Sequence, residues 1–453
     1  MRCSLCSRSS LSKWSRRGCR IRSLWRIGRC CELPRSRSDP TFDAPTRRQE
    51  PYVAPRRKTR QVLVGSVRIG GDAPVALQTM TAGYTHEIDR CIAEVQKLAR
   101  AGADLVRVAV PERRDTEALP HIIAASPVPI VADVHFHYQR ALEAIAAGVH
   151  KIRLNPGNIK HRPQVLRVIA ACKERRIPIR VGVNEGGIVE RSDKSQRAAE
   201  KATLAADYRG NLIRIMLEKL EEYLRIFDAA DYHDIVISAK SIDPRVVIDA
   251  YTAISQRFDF PLHLGVTHAG PPETGRIRSI AALGTLLANG VGDTIRISYA
   301  ADPVYEVEDG RELLCALGLR NRTEPELIAC PTCGRIQVDL LKLVGAVRSR
   351  LAEIDVPVKV AVMGCVVNGP GECEGADVAI FAGAGKGIIY VQGEKKATVD
   401  EADMLDALLA ECRAFADRVR RGEARLTNAD VHIQPPDPLP RAVGSIPLNV
   451  VTG

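Results

Sequence analysis

"HKIRLNP", residues 150–156, is a short β-rich run in which Lys151 and Arg153 alternate with Ile152 and Leu154. Period-two patterning of this kind marks a strand. Seven further runs read as strands: "VALQTM" (75–80), "DLVRVAV" (104–110), "PIVADVHF" (129–136), "PIRVGVN" (178–184), "DIVISAK" (234–240), "PLHLGVT" (261–267) and "DTIRISY" (293–299). Between them lie helix-periodic segments such as "EIDRCIAEVQKLARAG" (87–102) and "SIAALGTLLANG" (279–290), each stopped by glycine. Strands alternating with helices pair in parallel. Eight such units over about 250 residues predict a closed (β/α)8 barrel of the TIM type. An open doubly wound sheet is the alternative, but "RIGGDAP" (68–74) is a poor match to a dinucleotide-binding loop.

A barrel of this kind carries its chemistry at the C-terminal ends of the strands. Polar residues fall there. The second strand carries Arg107, and the third ends near Asp133, His135 and His137. The fourth carries Lys151 and Arg153 and ends at Asn155. The fifth ends at Asn184, the sixth at Lys240, and the seventh holds His263, Thr267 and His268. The eighth carries Arg296 and Ser298. An inward ring of cations suits a phosphorylated or otherwise anionic substrate. Structural ion pairs are the bland alternative, and the alternation with apolar neighbours leaves open that part of the set faces outward.

The formal net charge of +11 points toward nucleic acid, but its distribution does not. Residues 1 to 60 hold 17 Lys/Arg against 4 Asp/Glu, a net of +13, which leaves −2 for the rest of the chain. A basic nucleic-acid-binding protein is therefore a weak reading. Residues 1–54 are Arg, Ser and Cys rich and are expected to be a disordered or non-native extension. A targeting segment, or a metal site using Cys3, Cys6, Cys19, Cys30 and Cys31, is the alternative. That extension holds no uninterrupted apolar run, so neither a signal-peptide core nor a membrane span is expected there. Cys91, Cys172, Cys315 and Cys412 fall singly on predicted helices, and a chain of 453 residues needs no disulfides, so a reducing cytoplasm is expected.

After about residue 320 the pattern changes. "ELIACPTCGR" (326–335) precedes a helix candidate over 338–354, the runs "VKVAVMGC" (358–365), "ADVAIFAG" (376–383) and "KGIIYVQGEK" (386–395), and a second helix candidate over 401–419. This predicts a smaller α/β domain over 321–425 after a barrel over 55–320, with a Pro-rich tail over 426–453. Cys330 and Cys333 form a C-x2-C pair, Cys365 follows 32 residues later at a predicted strand end, and Glu372 lies seven beyond it. Three soft thiolates fit an iron–sulfur cluster or zinc, and a thiol/disulfide pair or structural cysteines are the remaining reading. The turn residues between Asn368 and Gly371 can aim Glu372 back toward Cys365.

The chain resembles the 4-hydroxy-3-methylbut-2-enyl diphosphate synthase family of the non-mevalonate isoprenoid pathway. The resemblance rests on "QTMT" (78–81), "ADVHF" (132–136), "KIRLNPGN" (151–158), "VGVNEG" (181–186), "HLGVT" (263–267), "GDTIRIS" (292–298), "ACPTCGR" (329–335) and "GCVVNGPGE" (364–372). It implies a barrel followed by an iron–sulfur domain, with a 4Fe-4S cluster on Cys330, Cys333, Cys365 and Glu372. It implies reductive ring opening of 2-C-methyl-D-erythritol 2,4-cyclodiphosphate, with two electrons from flavodoxin or ferredoxin, in a head-to-tail homodimer. The small anionic cyclic diphosphate would be bound by Arg107, Arg153, Asn155, Asn184, Lys240, His263, Arg296 and Ser298. Asn368 would face the cluster edge or the substrate. The family usually reads "TEAG" where this chain has "THAG" (267–270), placing His268 where a proposed acid/base glutamate stands. His268 carrying that role, another residue carrying it, or reduced activity all remain open. A different iron–sulfur barrel enzyme acting on a phosphorylated substrate is the rival reading. Its radical-generating form needs a C-x3-C-x2-C motif that the core of the chain does not have.

Overall fold

The structure is a computed structural model that describes residues 53–134, 137–154, 161–185, 207–365, 375–383 and 385–427. Eight parallel strands form one sheet: β3 (Ala76–Met80), β4 (Leu105–Ala109), β5 (Ile130–Asp133), β6 (Lys151–Leu154), β7 (Ile179–Asn184), β8 (Ile235–Lys240), β9 (His263–Leu264) and β10 (Thr294–Ile295). β10 pairs with both β3 and β9, and a parallel bridge between Ile237 and Leu262 joins β8 to β9. The sheet is thereby closed into the expected barrel. Helices α1 (Ile88–Arg100), α2 (Arg113–Ala125), α3 (Tyr138–Ala146), α4 (Arg162–Arg175), α5 (Tyr208–Ala229), α6 (Pro244–Arg257), α7 (Pro272–Ala288) and α8 (Pro303–Ala316) cover it. Several start on local signals. Asp243 and Asp302 cap α6 and α8 immediately before a proline, a pairing that satisfies one amide and removes another from the unpaired first turn. Gly290, with φ +72°, ends the α7 turn where a Cβ would lie 2.3 Å from the Pro55 carbonyl oxygen. Only glycine meets both demands.

An antiparallel hairpin, β1 (Gln61–Val64) and β2 (Val67–Gly70), precedes the barrel and was not expected from the sequence. Its Val62, Val64 and Ile69 pack against Ala76, Leu105, Val131 and Val236, which lie at the N-terminal ends of four barrel strands. The hairpin therefore plugs the floor. The alternate strand residues, including Leu77, Val106, Ala132, Ile152, Val181 and Ile237, pack with the helices in one continuous outer core. Burying that shell supplies the main driving force for closure.

The seam between β8 and β9 is the thinnest part of the wall, and a side chain completes it. Tyr251 of α6 accepts a hydrogen bond from the Ala239 amide (3.0 Å) and donates one to the His263 carbonyl. Its hydroxyl thus replaces a missing rung of the ladder. Removing it orphans two buried backbone groups, each costing about 1–3 kcal/mol. Tyr251→Phe is expected to lower unfolding stability by about 2 kcal/mol, read as an earlier denaturant midpoint at unchanged m-value.

The second sheet runs β11 (Glu326–Ala329), β12 (Lys359–Met363), β13 (Val378–Gly383), β14 (Lys386–Val391) and β15 (Glu394–Asp400), parallel over the first three strands and antiparallel over the last two. Val360, Val362, Ile380 and Ile389 face α9 (Leu340–Leu351) and α10 (Met404–Arg420), while Ala361, Met363 and Phe381 form a separate cluster. β11 and β15 are additions to the predicted strands. The linker between the sheets is pinned to the barrel's lower end. Arg320 bonds to the Gly102 carbonyl and to Asp104, just before β4, and Arg322 bonds Glu312 of α8 at 2.6 and 2.7 Å.

Candidate active site

The period-two pattern of the barrel strands puts every strand-borne cation on one face. Arg107, Lys151, Arg153, Arg180, Lys240 and Arg296 share the parity of the floor residues Leu105, Val131 and Val236, and the apolar outer core takes the other parity. The expectation that part of the set faces outward is therefore not met. Two acids accompany these six cations: Asp133 from β5 and Glu306 from α8, both buried. Asp133 contacts Arg107 at 3.6 Å and Arg153 at 3.3 Å. Arg107 also points Nη2 at the Met80 sulfur (3.0 Å).

Charge matching beyond that is loose: Arg296 meets Glu306 only at 3.7 Å. Arg153 Nε and Nη1, and Arg180 Nε and Nη1, are buried without a hydrogen bond among the described residues. Burial, reinforced by the Arg180 and Arg296 guanidinium groups, holds the Lys240 ammonium well below its usual pKa. Burial likewise lowers Arg107 to about 10, with Asp133 opposing the shift. Isolated cations in a low-dielectric chamber are costly unless an anion joins them. Lys240 has room to enter because residue 265 is glycine: a Cβ there would lie 2.7 Å from its Nζ.

Not every predicted residue plays the part its sequence position suggested. Lys151 is fully buried and reaches across the barrel to Gln78 Oε1 at 3.0 Å, so it belongs to the floor rather than the mouth. His263 is fully buried, with Nδ1 3.5 Å from Thr294 Oγ1 and Nε2 without a hydrogen bond among the described residues. Burial first, then Arg180 and Lys240, hold it in the neutral form. Asn184 ends β7 in register with Lys240. Ser298 donates to the Val266 carbonyl at 3.2 Å. His268 is exposed on the loop after β9, in left-handed backbone (φ 50°), with Nδ1 3.3 Å from Thr267 Oγ1. Asn155, Asn368 and Glu372 lie outside the described residues, as does His135. Sequence reading missed Arg180 and Glu306. Arg180 alternates with apolar neighbours as Arg153 does, so the same rule could have found it, whereas Glu306 sits on a helix and carries no such mark.

Two of the three cysteines lie at one end of two hydrogen-bonded strands. Cys330 follows β11, Cys365 follows β12 by two residues, and the Gly364 amide donates to Cys330 Sγ at 3.3 Å. The Cys330–Cys333 segment folds back onto β12: Ile336 donates to the Cys333 carbonyl at 3.3 Å, and Gln337 to the Gly364 carbonyl at 3.0 Å. Gly364 leaves space for Ile336, whose nearest carbon would be 3.2 Å from an added Cβ. None of the three cysteines is in a disulfide. Among the described residues no three Cys, His, Asp or Glu side chains converge closely enough for a single ion. Three reduced soft sulfurs are a donor set suited to an iron–sulfur cluster or zinc.

The chain is a two-domain barrel protein: a closed barrel with buried cations on its inner face, followed by a small sheet domain that carries three reduced cysteines. Residues 59–311 match the family model described as the GcpE TIM-barrel domain, and residues 326–414 match that of the GcpE protein C-terminal domain. The chain belongs to the GcpE family. It is 46% identical to the 4-hydroxy-3-methylbut-2-en-1-yl diphosphate synthase (flavodoxin) of Symbiobacterium thermophilum, over 78% of this chain and 92% of the relative. The enzymes of the same name from Corynebacterium jeikeium and Geobacillus thermodenitrificans are 44% and 43% identical, over 81% and 80% of this chain and 92% and 93% of theirs. Among the described residues no helix is long and apolar enough to cross a membrane.

Proposed function

We propose that this chain converts 2-C-methyl-D-erythritol 2,4-cyclodiphosphate to 4-hydroxy-3-methylbut-2-enyl diphosphate, using two electrons from reduced flavodoxin, in isoprenoid biosynthesis. The observation that carries the reading is the excess of cations over acids on the barrel's inner face: Arg107, Lys151, Arg153, Arg180 and Lys240 are buried and Arg296 is half-buried, against Asp133 and Glu306. Arg107, Arg153, Lys240 and Arg296 bind the two phosphoryl groups, and Asp133 keeps Arg107 and Arg153 oriented. Asn155, Asn184, His263 and Ser298 add hydrogen bonds around the sugar-derived carbons. The neutral state of His263 makes it a hydrogen-bond partner rather than another charge. The plugged floor keeps water from reaching the chamber from below.

Cys330, Cys333, Cys365 and Glu372 would hold a 4Fe-4S cluster, which when bound would supply electrons one at a time and Lewis acidity toward the departing hydroxyl. Asn368 lies between two of these ligands in the sequence and would supply a polar group there. The hydroxyl leaves as water and needs a proton. His268 stands on the loop after β9, at the mouth, and its imidazole can deliver one. His268→Ala is expected to slow single-turnover reduction by about 100-fold. Unchanged single turnover would remove His268 from the mechanism.

Homodimerisation is supported by the tether. The linker leaves from the barrel's lower end, beside Asp104, whereas the cations open toward the upper end. A thiol domain from a second copy then closes the mouth. The seven described cysteines, all free of disulfides, support a reducing cytoplasmic setting. The whole reading is tested by anaerobic reconstitution of the full chain followed by assay with the cyclic diphosphate and reduced flavodoxin. Formation of the linear hydroxylated diphosphate is expected, and protein that holds iron and sulfide yet forms none of it would overturn the assignment.

A further inference from the structure

Glu306 lies in the first turn of α8, directly after the last barrel strand, and is 5% exposed. Its Oε1 accepts a hydrogen bond from the Tyr299 amide at 3.1 Å, which fixes the carboxylate. Its Oε2 stands 3.7 Å from Arg296 Nη2 and makes no hydrogen bond among the described residues. Arg296 Nε is likewise buried without one. Tight pairs elsewhere in the barrel look different: Arg56–Asp293 and Arg276–Asp309 both close to 2.7 Å. Glu306 is thus anchored to backbone but only loosely matched to its cation.

The other charges that act on Glu306 are Lys240 and Arg107, both cationic, and its carboxyl is pushed upward mainly by burial. A guanidinium beside such a carboxylate keeps unused donors, and a diphosphate offers it better acceptors at shorter range. We propose that Glu306 is a resident counter-ion for Arg296, displaced from it when the substrate's diphosphate binds and restored to it when the product's diphosphate leaves. The inference rests on the proposed diphosphate chemistry and extends it. Glu306 competes with the ligand for one cation, so it weakens diphosphate binding and speeds release. It acts through Arg296 and is a positioning residue.

Glu306→Gln separates this role from a structural one. The amide oxygen still accepts from the Tyr299 amide, while the charge is gone. In the full-length, cluster-loaded protein under anaerobic, low-salt conditions, the variant is expected to bind inorganic diphosphate at least about tenfold more tightly. Its kcat and KM for the cyclic diphosphate are expected to fall together, because release slows. A purely structural role predicts the opposite, weaker binding and a raised KM. Glu306→Ala also loses the bond to the Tyr299 amide, and the same tightening is expected of it, so either variant gives the answer. If the wild type binds diphosphate and neither variant binds it more tightly, the counter-ion role is overturned alone. If the wild type does not bind diphosphate at all, the cationic-chamber reading fails and this inference with it.

Discussion

Cys365→Ser is expected to lower anaerobic turnover by at least about a thousandfold, equivalent to about 4 kcal/mol of lost transition-state stabilisation. The reconstituted variant is expected to retain far less iron and sulfide than the wild type, with its secondary structure unchanged. The reason lies in the local fold. β12 delivers Cys365 to the same edge at which Gly364 already donates to Cys330 Sγ, so these two cysteines share one supporting framework. Serine offers a harder, shorter oxygen that no other described group on this edge replaces. The half-buried thiol is not needed for the domain's core, which is built by Val360, Val362, Ile380 and the residues of α9 and α10. Wild-type iron content with wild-type turnover would remove Cys365 from the ligand set.

Lys240→Met is expected to reduce kcat/KM by roughly 100- to 1000-fold, in line with about 2–5 kcal/mol for truncating one partner of a buried charge pair. Methionine keeps most of the side chain's bulk, so the loss reports charge rather than a cavity. Gly265→Ala is expected to act in the same direction, because its Cβ would fall 2.7 Å from Nζ and push the ammonium aside. The lysine also leaves a pH signature. Its pKa in the folded chain is well below 10.5, chiefly through burial, so the folded protein binds fewer protons than the unfolded chain above that depressed value. Stability from this group therefore falls as pH drops from about 10.5 toward the depressed pKa. A bound diphosphate reverses the shift, since the complex recovers the proton. Affinity for inorganic diphosphate is expected to tighten as pH falls, by a smaller factor in Lys240→Met, as titrations at several pH values would show.

The barrel was legible because each strand is a short β-rich run between glycine-stopped helices, and "HKIRLNP" with its neighbours repeats that grammar eight times. Alternation placed Lys151 and Arg153 on one face of their strand. It could not say which parity faces the interior, because closure of the sheet decides that. The floor hairpin escaped notice: Val62, Val64 and Ile69 occupy two four-residue strands whose partners lie far along the chain. β15, "EKKATVD", was hidden for a different reason. It is a largely exposed edge strand with lysines, where burial leaves no apolar pattern. The C-x2-C spacing marked Cys330 and Cys333, but the parallel pairing of β11 and β12, which brings the strand ends before Cys330 and Cys365 side by side, was hidden because β11 was not read as a strand. Tyr251 was invisible, because a helix residue that mends a strand seam has no local signature.

The hairpin under the barrel has a kinetic consequence. With Val62, Val64 and Ile69 stoppering one end, ligands share a single doorway at the other. Substrate cannot enter from behind while product departs in front, so each catalytic cycle must empty the vessel before refilling it. Product still lodged inside blocks the next molecule outright, and inhibition by the linear diphosphate is then competitive with the cyclic one.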